Sequence, residues 1–587
     1  MISSTNERRL DSRLSYRSFR FIAQPLITVA LASVSVMAAE PITKWTPVVM
    51  QFDSEESYPW WEFPVEATLR HEGSGAQLQI EAFYDGPKRY TLRFALPLAG
   101  KWSYRIKSRD SKLNGNSGVV TVEAPTQQQS RSNPNLRGHV RASENGRYFQ
   151  YADGKPFFFL GDTNWSINTA RCGLGANQDG PFFEYLNDRK SKGFAAILVA
   201  YMRGFGDTDE PAGQRNEGGY PFTGGQVEQL NAKYFQSLDT RMQAIWDRGF
   251  VVAVHPTWFA KRNCFFDHES AKRISAYLAV RYGAYNGLWS LSGEYQYTMK
   301  DCSWTESQLN ELGEVVQQHN PYHHPLSIHP SGNPKWAAPH GDLSSRAFHD
   351  AVWHDHNWLQ TGQKLPMLCN VALRAIENYK LSPTKPVILS EGYYERYTDP
   401  EHVYHSRWQA WTAFLNGSAG YGYGAFGVWQ FYTPDDAKGE TGKKTDGHLF
   451  WKEAMAMEGS RQMRPVRELL SSLPWWQLTP SRNLIVVNGK RNPPPTPDDI
   501  TPPHCGKIAD AAMVVYIPRG NADNELRIDN LPSQDFAAHW FDPRTAARTM
   551  ISDSKQLANG VIPPRPESAD EDWVLLLLNT NSDENRR

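Results

Sequence analysis

The sequence predicts an α/β protein built on a (β/α)8 TIM barrel, flanked by an N-terminal β-sandwich and a small C-terminal β-sandwich domain. Three observations carry that expectation. The chain has 587 residues, more than one hydrophobic core accommodates. Residues 145–473 alternate short apolar runs with amphipathic helical stretches, as βα units do. Residues 40–125 and 474–580 read instead as short alternating strands broken by Gly and Pro.

Composition narrows the function classes. Hydrophobic residues make up 40% and charged residues 21%, which excludes wholesale disorder. Lys+Arg is 62 against 63 Asp+Glu, and no long basic run stands out, so neither a nucleic-acid nor an anionic-membrane partner is expected. The 20 Trp, 26 Tyr and 27 Phe suit a large aromatic core and equally the stacking of aromatic faces on sugar rings.

At the N-terminus, Arg8, Arg9, Arg13, Arg17 and Arg20 precede an apolar stretch, Phe21 to Val36, and then Met37-Ala38-Ala39. Basic, apolar and small residues in that order read as a secretory signal peptide over 1–39, so the mature chain is expected to be exported, periplasmic or extracellular. No other stretch approaches the ~20 apolar residues of a membrane span.

From Trp45 to Pro125 the pattern is β. Ala76 to Tyr84 alternates and stops at the hairpin turn Asp85-Gly86; Tyr90 to Phe94 and Trp102 to Ile106 alternate likewise. Residues 126–144 read as a linker. Eight barrel strands follow: Phe157–Gly161, Ala195–Ala200, Val251–His255, Gly287–Ser292, Leu326–His329, a weak strand near Val352, Val387–Ser390 and Ala425–Phe431. Between them, Leu230, Tyr234, Leu238, Met242 and Ile245 keep one apolar helical face, and Ser303 with Glu306 suits a capping box. Beyond 473, Ala512–Ile517, Glu525–Ile528, His539–Phe541 and Trp573–Leu578 read as strands after a Pro-rich loop at 492–503.

Barrel chemistry projects from the C-terminal ends of strands. Those ends offer Asp162, His255, Glu294, His329 and Glu391, with Trp429 on the last strand. Glycoside hydrolysis needs one carboxylic acid to protonate the leaving oxygen and one carboxylate to attack or to activate water. Glu294 and Glu391, closing the fourth and seventh runs, are the candidate pair. Asp162, Trp165, His255, Trp258, His329, Tyr394 and Trp429 are the candidate substrate-binding residues, with Trp165, Trp258 and Trp429 as the sugar platform. For each, packing or a backbone hydrogen bond is the competing role. Glu395 is the reserve nucleophile if the seventh strand ends later.

His354-Asp355-His356 has the spacing of a chelate, which would make a metal-dependent hydrolase. No matching HxH sits on the first strand, so no metal or other cofactor is expected. A non-catalytic carbohydrate-binding surface protein is the other alternative, and intact glutamates at both strand ends argue against it. The five cysteines contain no CxxC; Cys264 and Cys302 fall on the neighbouring loops after strands three and four and are a candidate disulfide.

Gly154-Lys155-Pro156-Phe157-Phe158-Phe159-Leu160-Gly161-Asp162-Thr163-Asn164-Trp165 resembles the first-strand signature of the apiosidase-like glycoside hydrolases (family 140-like). Leu288 to Glu294, Lys385 to Glu391 with Tyr394-Glu395, and Gly417 to Trp429 resemble the family's fourth, seventh and eighth strands. Phe83-Tyr84-Asp85-Gly86 with Gly100-Lys101-Trp102 is similar to the preceding β-sandwich, and Trp540 to Arg544 with Asp572 to Leu575 to the C-terminal β-domain. The resemblance implies a retaining double displacement on a plant or algal oligo- or polysaccharide side chain, Glu294 as acid/base and Glu391 as nucleophile. It also implies that His354 to Gly362 belongs to the sixth strand. In one departure, many relatives carry Asp at the acid/base position, and the longer Glu294 bears on carboxyl spacing and on the sugar.

Overall fold

A computed structural model describes residues 28–30, 40–202, 215–256, 258–259, 264–332, 342–434, 449–531, 536–552, 557, 559–566 and 571–580. The signal-peptide expectation over 1–39 lies outside them, apart from a short strand at Thr28–Ala30 that pairs with Val49–Gln51.

Eight parallel strands form the barrel: β1 Phe159–Asn164, β2 Ala196–Ala200, β3 Val251–His255, β4 Gly287–Ser290, β5 Leu326–Ser327, β6 Asn357–Gln360, β7 Val387–Glu391 and β8 Gly420–Tyr423. They are hydrogen-bonded in the order β5-β4-β3-β2-β1-β8-β7-β6. The seam between β5 and β6 is stitched by single contacts: Asp355 N donates to Leu326 O at 2.8 Å, Leu326 N to Asp355 Oδ2 at 2.9 Å, and Ser327 Oγ to His356 O at 2.7 Å.

Strand alternation sorts the side chains into two cores. Phe159, Leu198, Ala253, Leu288, Trp358 and Ile388 fill the barrel interior. Leu160, Ile197, Val199, Val252, Leu389 and Tyr421 pack outward against the helices. The helices follow amphipathic logic. In α2, Ala232–Asp247, Tyr234, Leu238, Met242 and Ile245 are buried; the Asn231 side chain caps its start, and Gly249 at φ 74° follows its end, where an L side chain would be strained.

Several expected boundaries shift. The eighth strand is Gly420–Tyr423, not Ala425–Phe431. Its inward positions must be glycine, because a Cβ on Gly420 would lie 2.6 Å from Phe159 and one on Gly422 2.4 Å from the Ser390 carbonyl oxygen. The sixth strand begins at Asn357, while Val352 is 86% exposed. The helix Glu306–Gln318 (α5) is capped by Thr305 and Gln308; Ser303, at φ 58°, lies outside it.

The segment expected as a linker is packed. It forms the helix Gln127–Ser132 and the 3-10 turn Pro134–Arg137. Buried Asn135 donates to Trp246 O and Phe250 O, closing the barrel floor. A three-stranded sheet, Arg141–Ala142, Phe149–Gln150 and Pro156–Phe157, plugs that floor with Phe149 and Phe157.

The N-terminal domain pairs a five-stranded and a four-stranded sheet around Leu69, Ile80, Leu92, Phe94 and Trp102. Buried charges join it to the barrel. Arg93 meets Asp239 of α2 at 2.8 Å, while Arg281, on the helix His268–Tyr282 (α3), contacts both Asp239 and Asp85. The C-terminal domain is a six-stranded sheet with a three-stranded partner, including a strand at His504–Ile508 that the sequence pattern did not show. Asp572 fixes it by accepting from Arg407, on the barrel helix His402–Leu415, and from Tyr516.

Candidate active site

The C-terminal ends of β3, β4, β5 and β7 bring the candidate carboxylates into one mouth. Glu294 follows β4 and caps the helix Tyr295–Asp301 (α4) in a left-handed conformation, φ 40° and ψ 60°. For a glutamate that conformation costs about 1–3 kcal/mol, and backbone bonds hold it. Tyr297 N donates to Glu294 O, and Tyr295 N to His329 O. The carboxylate accepts from Trp258 Nε1 at 3.3 Å and from Ser331 Oγ at 3.2 Å. Gly293 permits this packing, because a Cβ there would lie 2.3 Å from the Trp258 ring.

Glu391 is reached by a different device. Leu359 pairs with Leu389 and Gln360 with Glu391, so β7 carries an extra residue at Ser390. Simple alternation would send one of these two side chains outward. The bulge turns both toward His329, with Ser390 Oγ 3.5 Å from Nδ1 and Glu391 Oε2 3.2 Å from Nε2. Gln363 Nε2 donates to Glu391 Oε1 at 3.2 Å. Tyr394 also bonds this carboxylate; burial first and then the Glu391 charge push its phenol well above the usual range, so it remains a donor.

The segment after β5 links the two acids. His329 N donates to Ser292 O and His329 O accepts from Tyr295 N, bracketing Glu294, while the His329 ring meets Glu391 and Ser331 meets Glu294.

The other expected residues divide. Trp165 Nε1 donates to Tyr394 Oη at 3.1 Å, and its ring stands edge-on to Trp258 at 5.0 Å. Both indoles are almost wholly buried walls. Trp429 lies on the loop after β8, not on the strand, and stays half-buried beside Tyr394. His255 has no exposed surface and stacks on Trp258 at 5.4 Å. Burial, then His329, holds its pKa well below the usual value, so it is a neutral support beneath the wall. His329 is likewise fully buried behind Glu391. Neither histidine presents a surface to a sugar; they bear on the site through Trp258 and Glu391.

Asp162 corrects the expectation of a sugar contact. β1 continues to Asn164, and Asp162 faces outward into the helix layer. There it accepts from Tyr185 and Arg189, both on the helix Pro181–Ser191 (α1), at 2.6 and 2.7 Å. Burial outweighs the Arg189 charge and raises its pKa. Glu395 is also structural, fully buried against Tyr423, His402 and Gly459 N.

His354 and His356 precede β6 and therefore sit at the barrel floor, across the fold from the glutamates. His354 contacts Ser327 and Ser344, and the His356 ring packs on Phe149 of the floor sheet. Among the described residues no group of three or more His, Cys, Asp or Glu is arranged to hold a metal. Cys264 and Cys302 are joined as a disulfide, their Cα atoms 5.4 Å apart. It ties the end of α4 to the loop that carries Trp258. Gln363 and Ser331 were missed by sequence reasoning. Their signal was a polar residue three or four positions beyond a strand end.

The nearly closed ring of parallel strands thus sets Glu294 beyond the C-terminal end of its fourth strand and Glu391 at that of its seventh, the end where such barrels carry their chemistry. The family model of the apiosidase-like catalytic domain matches residues 143–477, and the chain belongs to that family; it is a glycoside hydrolase. Two shorter models match the flanks: a domain of unknown function over 41–109, and a domain named for collagen binding over 503–578. Among solved structures, a glycoside hydrolase superposes with TM-score 0.62 at 21% identity, covering 77% of this chain and 99% of its own. A family 5 glycoside hydrolase from Bacteroides vulgatus ATCC 8482 gives 0.62 at 22%, covering 77% and 96%. A further glycoside hydrolase candidate from the same organism gives 0.63 at 17%, covering 92% and 100%. At these identities the likeness is one of fold. No curated protein matches the chain.

Proposed function

We propose that this glycoside hydrolase is exported and cleaves a side chain of a plant or algal polysaccharide by double displacement. Glu391 is the nucleophile and Glu294 the general acid/base. The observation that carries the reading is the His329–Ser331 segment, which touches both carboxylates and fixes them across one mouth.

In the first step the Glu391 carboxylate attacks the anomeric carbon while the glycosidic C–O bond breaks and Glu294 gives its proton to the leaving oxygen. In the second, Glu294 takes a proton from water, which attacks the anomeric carbon and releases Glu391. The environments suit these roles. Glu391 is 7% exposed and ringed by Gln363, Tyr394 and His329, which hold its carboxylate in one place. Glu294 is more open than Glu391, which leaves it within reach of solvent for proton exchange, and it accepts from the indole N–H of Trp258 and the Ser331 hydroxyl. Export rests on the basic-apolar-small order of residues 8–39 and accords with a disulfide between Cys264 and Cys302.

The test is a screen of purified protein against pectic and marine polysaccharides, reading released monosaccharides. Glu294→Gln and Glu391→Gln are expected to abolish release while melting as the parent does. Full release by either variant removes that residue from the mechanism.

A further inference from the structure

Behind Glu391 lies a fixed polar chain that the two-carboxylate scheme does not use. Gln363, three residues beyond β6, has every hydrogen-bonding capacity of its amide engaged. Its Nε2 donates to Glu391 Oε1 at 3.2 Å and to Gly392 O at 2.8 Å. Its Oε1 accepts from Tyr394 N at 2.9 Å and from Arg396 Nη2 at 3.2 Å. The amide therefore has one orientation. Flipped, its oxygen would face a carboxylate and a carbonyl, and its NH2 would face an N–H and a guanidinium.

Arg396 anchors the far end. Its Cζ lies 4.3 Å from the Tyr393 ring centroid and 4.5 Å from that of Phe426, and Nη2 also donates to Gln363 O at 3.1 Å. Among the described residues Arg396 makes no ion pair. The nearby carboxylate, Asp399, is engaged by the Tyr393 hydroxyl at 3.1 Å and by His405 at 2.7 Å. The guanidinium is thus held against two aromatic rings, one amide away from the Glu391 carboxylate.

We propose that Gln363 and Arg396 are positioning residues for Glu391. Arg396 holds the Gln363 carbonyl, which turns the amide N–H onto Glu391 Oε1 and sets the carboxylate for attack. Through that polarised amide the Arg396 guanidinium bears on the Glu391 carboxylate. The proposal rests on the assignment of Glu391 as nucleophile. The other charged or titratable groups around this cluster are Glu294 across the mouth, His329 from beyond β5, Tyr394, Tyr393 and Asp399 from the segment after β7, and His405 on Asp399.

The experiment measures kcat, KM and the pH profile of kcat/KM for Arg396→Met, Arg396→Lys and Gln363→Glu, with Glu391→Gln beside them. Arg396→Met keeps the apolar bulk between the two rings and removes the charge. It is expected to lower kcat about 10-fold with KM within about two-fold, and to move the acidic limb of kcat/KM up by roughly half a unit or more. Arg396→Lys, which retains the charge, restores the position of the limb. Gln363→Glu sets a second carboxylate against Glu391 and moves the limb further in the same direction. An Arg396→Met enzyme that melts like the parent with an unmoved acidic limb overturns the proposal, whatever its kcat. So does an Arg396→Lys limb displaced as far as that of Arg396→Met. If Glu391→Gln retains turnover, the underlying assignment fails independently. If Glu391→Gln is inactive while both limbs stay put, only the positioning role is lost.

Discussion

Replacing Asp162 separates a sugar contact from a structural ion pair. Asp162 and Arg189 are both 0% exposed and meet at 2.7 Å, with the Tyr185 hydroxyl on the same oxygen. Asp162→Asn keeps the shape and deletes the charge, leaving a buried guanidinium with Asp188 as its remaining carboxylate, at 2.6 Å. Breaking a buried pair from one side costs about 3–5 kcal/mol; because Asp188 persists, the lower end applies. With an unfolding entropy of about 2 cal/mol/K per residue over the barrel, about 3 kcal/mol lowers the melting midpoint by about 4 °C. The assay is a thermal melt at fixed scan rate beside steady-state kinetics. The midpoint should drop by that amount while KM stays within two-fold, because Asp162 faces α1 and not the mouth. A KM raised several-fold with an unchanged midpoint would refute the outward placement and return Asp162 to the sugar.

Three further outcomes follow from the same geometry. Gly293→Ala pushes Trp258 off Glu294, since the new Cβ would lie 2.3 Å from the indole; kcat should fall roughly 10–100-fold, and an unchanged kcat would show that the Trp258 contact is idle. Asp355 at the β5–β6 seam has its pKa raised from 3.8 to about 6, by burial above all. Its folded form holds the proton more tightly than the unfolded chain, so its contribution is full below about pH 4 and is lost as pH rises through about 6, amounting to at most about 3 kcal/mol. Asp355→Asn, which keeps the acceptor for Leu326 N, should flatten the stability profile between those limits; urea midpoints across that range check it, and parallel profiles for parent and variant contradict it. Breaking the Cys264–Cys302 bridge, which spans a sequence separation of 38, should cost about 4 kcal/mol by loop entropy and loosen Trp258 against Glu294. A reductant that leaves both melting and kcat untouched argues against a tightened rim.

The barrel was legible because its strands are buried on both faces, and continuous runs such as Val387–Ser390 announce that burial. Glu391 could be placed at the end of such a run. What turns its side chain inward could not be read, because the bulge at Ser390 is set by pairing with β6. Asp162 was misplaced for a related reason: three more residues of strand and a parity of two decide its face, and the end of β1 carries no breaker. Gly420-Tyr421-Gly422-Tyr423 reads poorly as a strand, since glycine is a weak strand former, yet Phe159 and the Ser390 carbonyl exclude anything larger. His354 and His356 have chelate spacing, but only the start of β6 at Asn357 shows that they lie at the floor. Gln363 reaches Glu391 across 28 residues of chain and Arg396 reaches Gln363 across 33, and local pattern does not encode such closures.

The central claim is that Glu391 attacks the sugar while Glu294 handles the proton. Its most direct test is the stereochemical course of the reaction, followed by proton NMR on the substrate that the polysaccharide screen identifies. Double displacement through Glu391 requires the first-formed sugar to carry the anomeric configuration of the bond that was cleaved. First-formed product of the opposite configuration, before mutarotation, would contradict the account and make Glu391 a base for water.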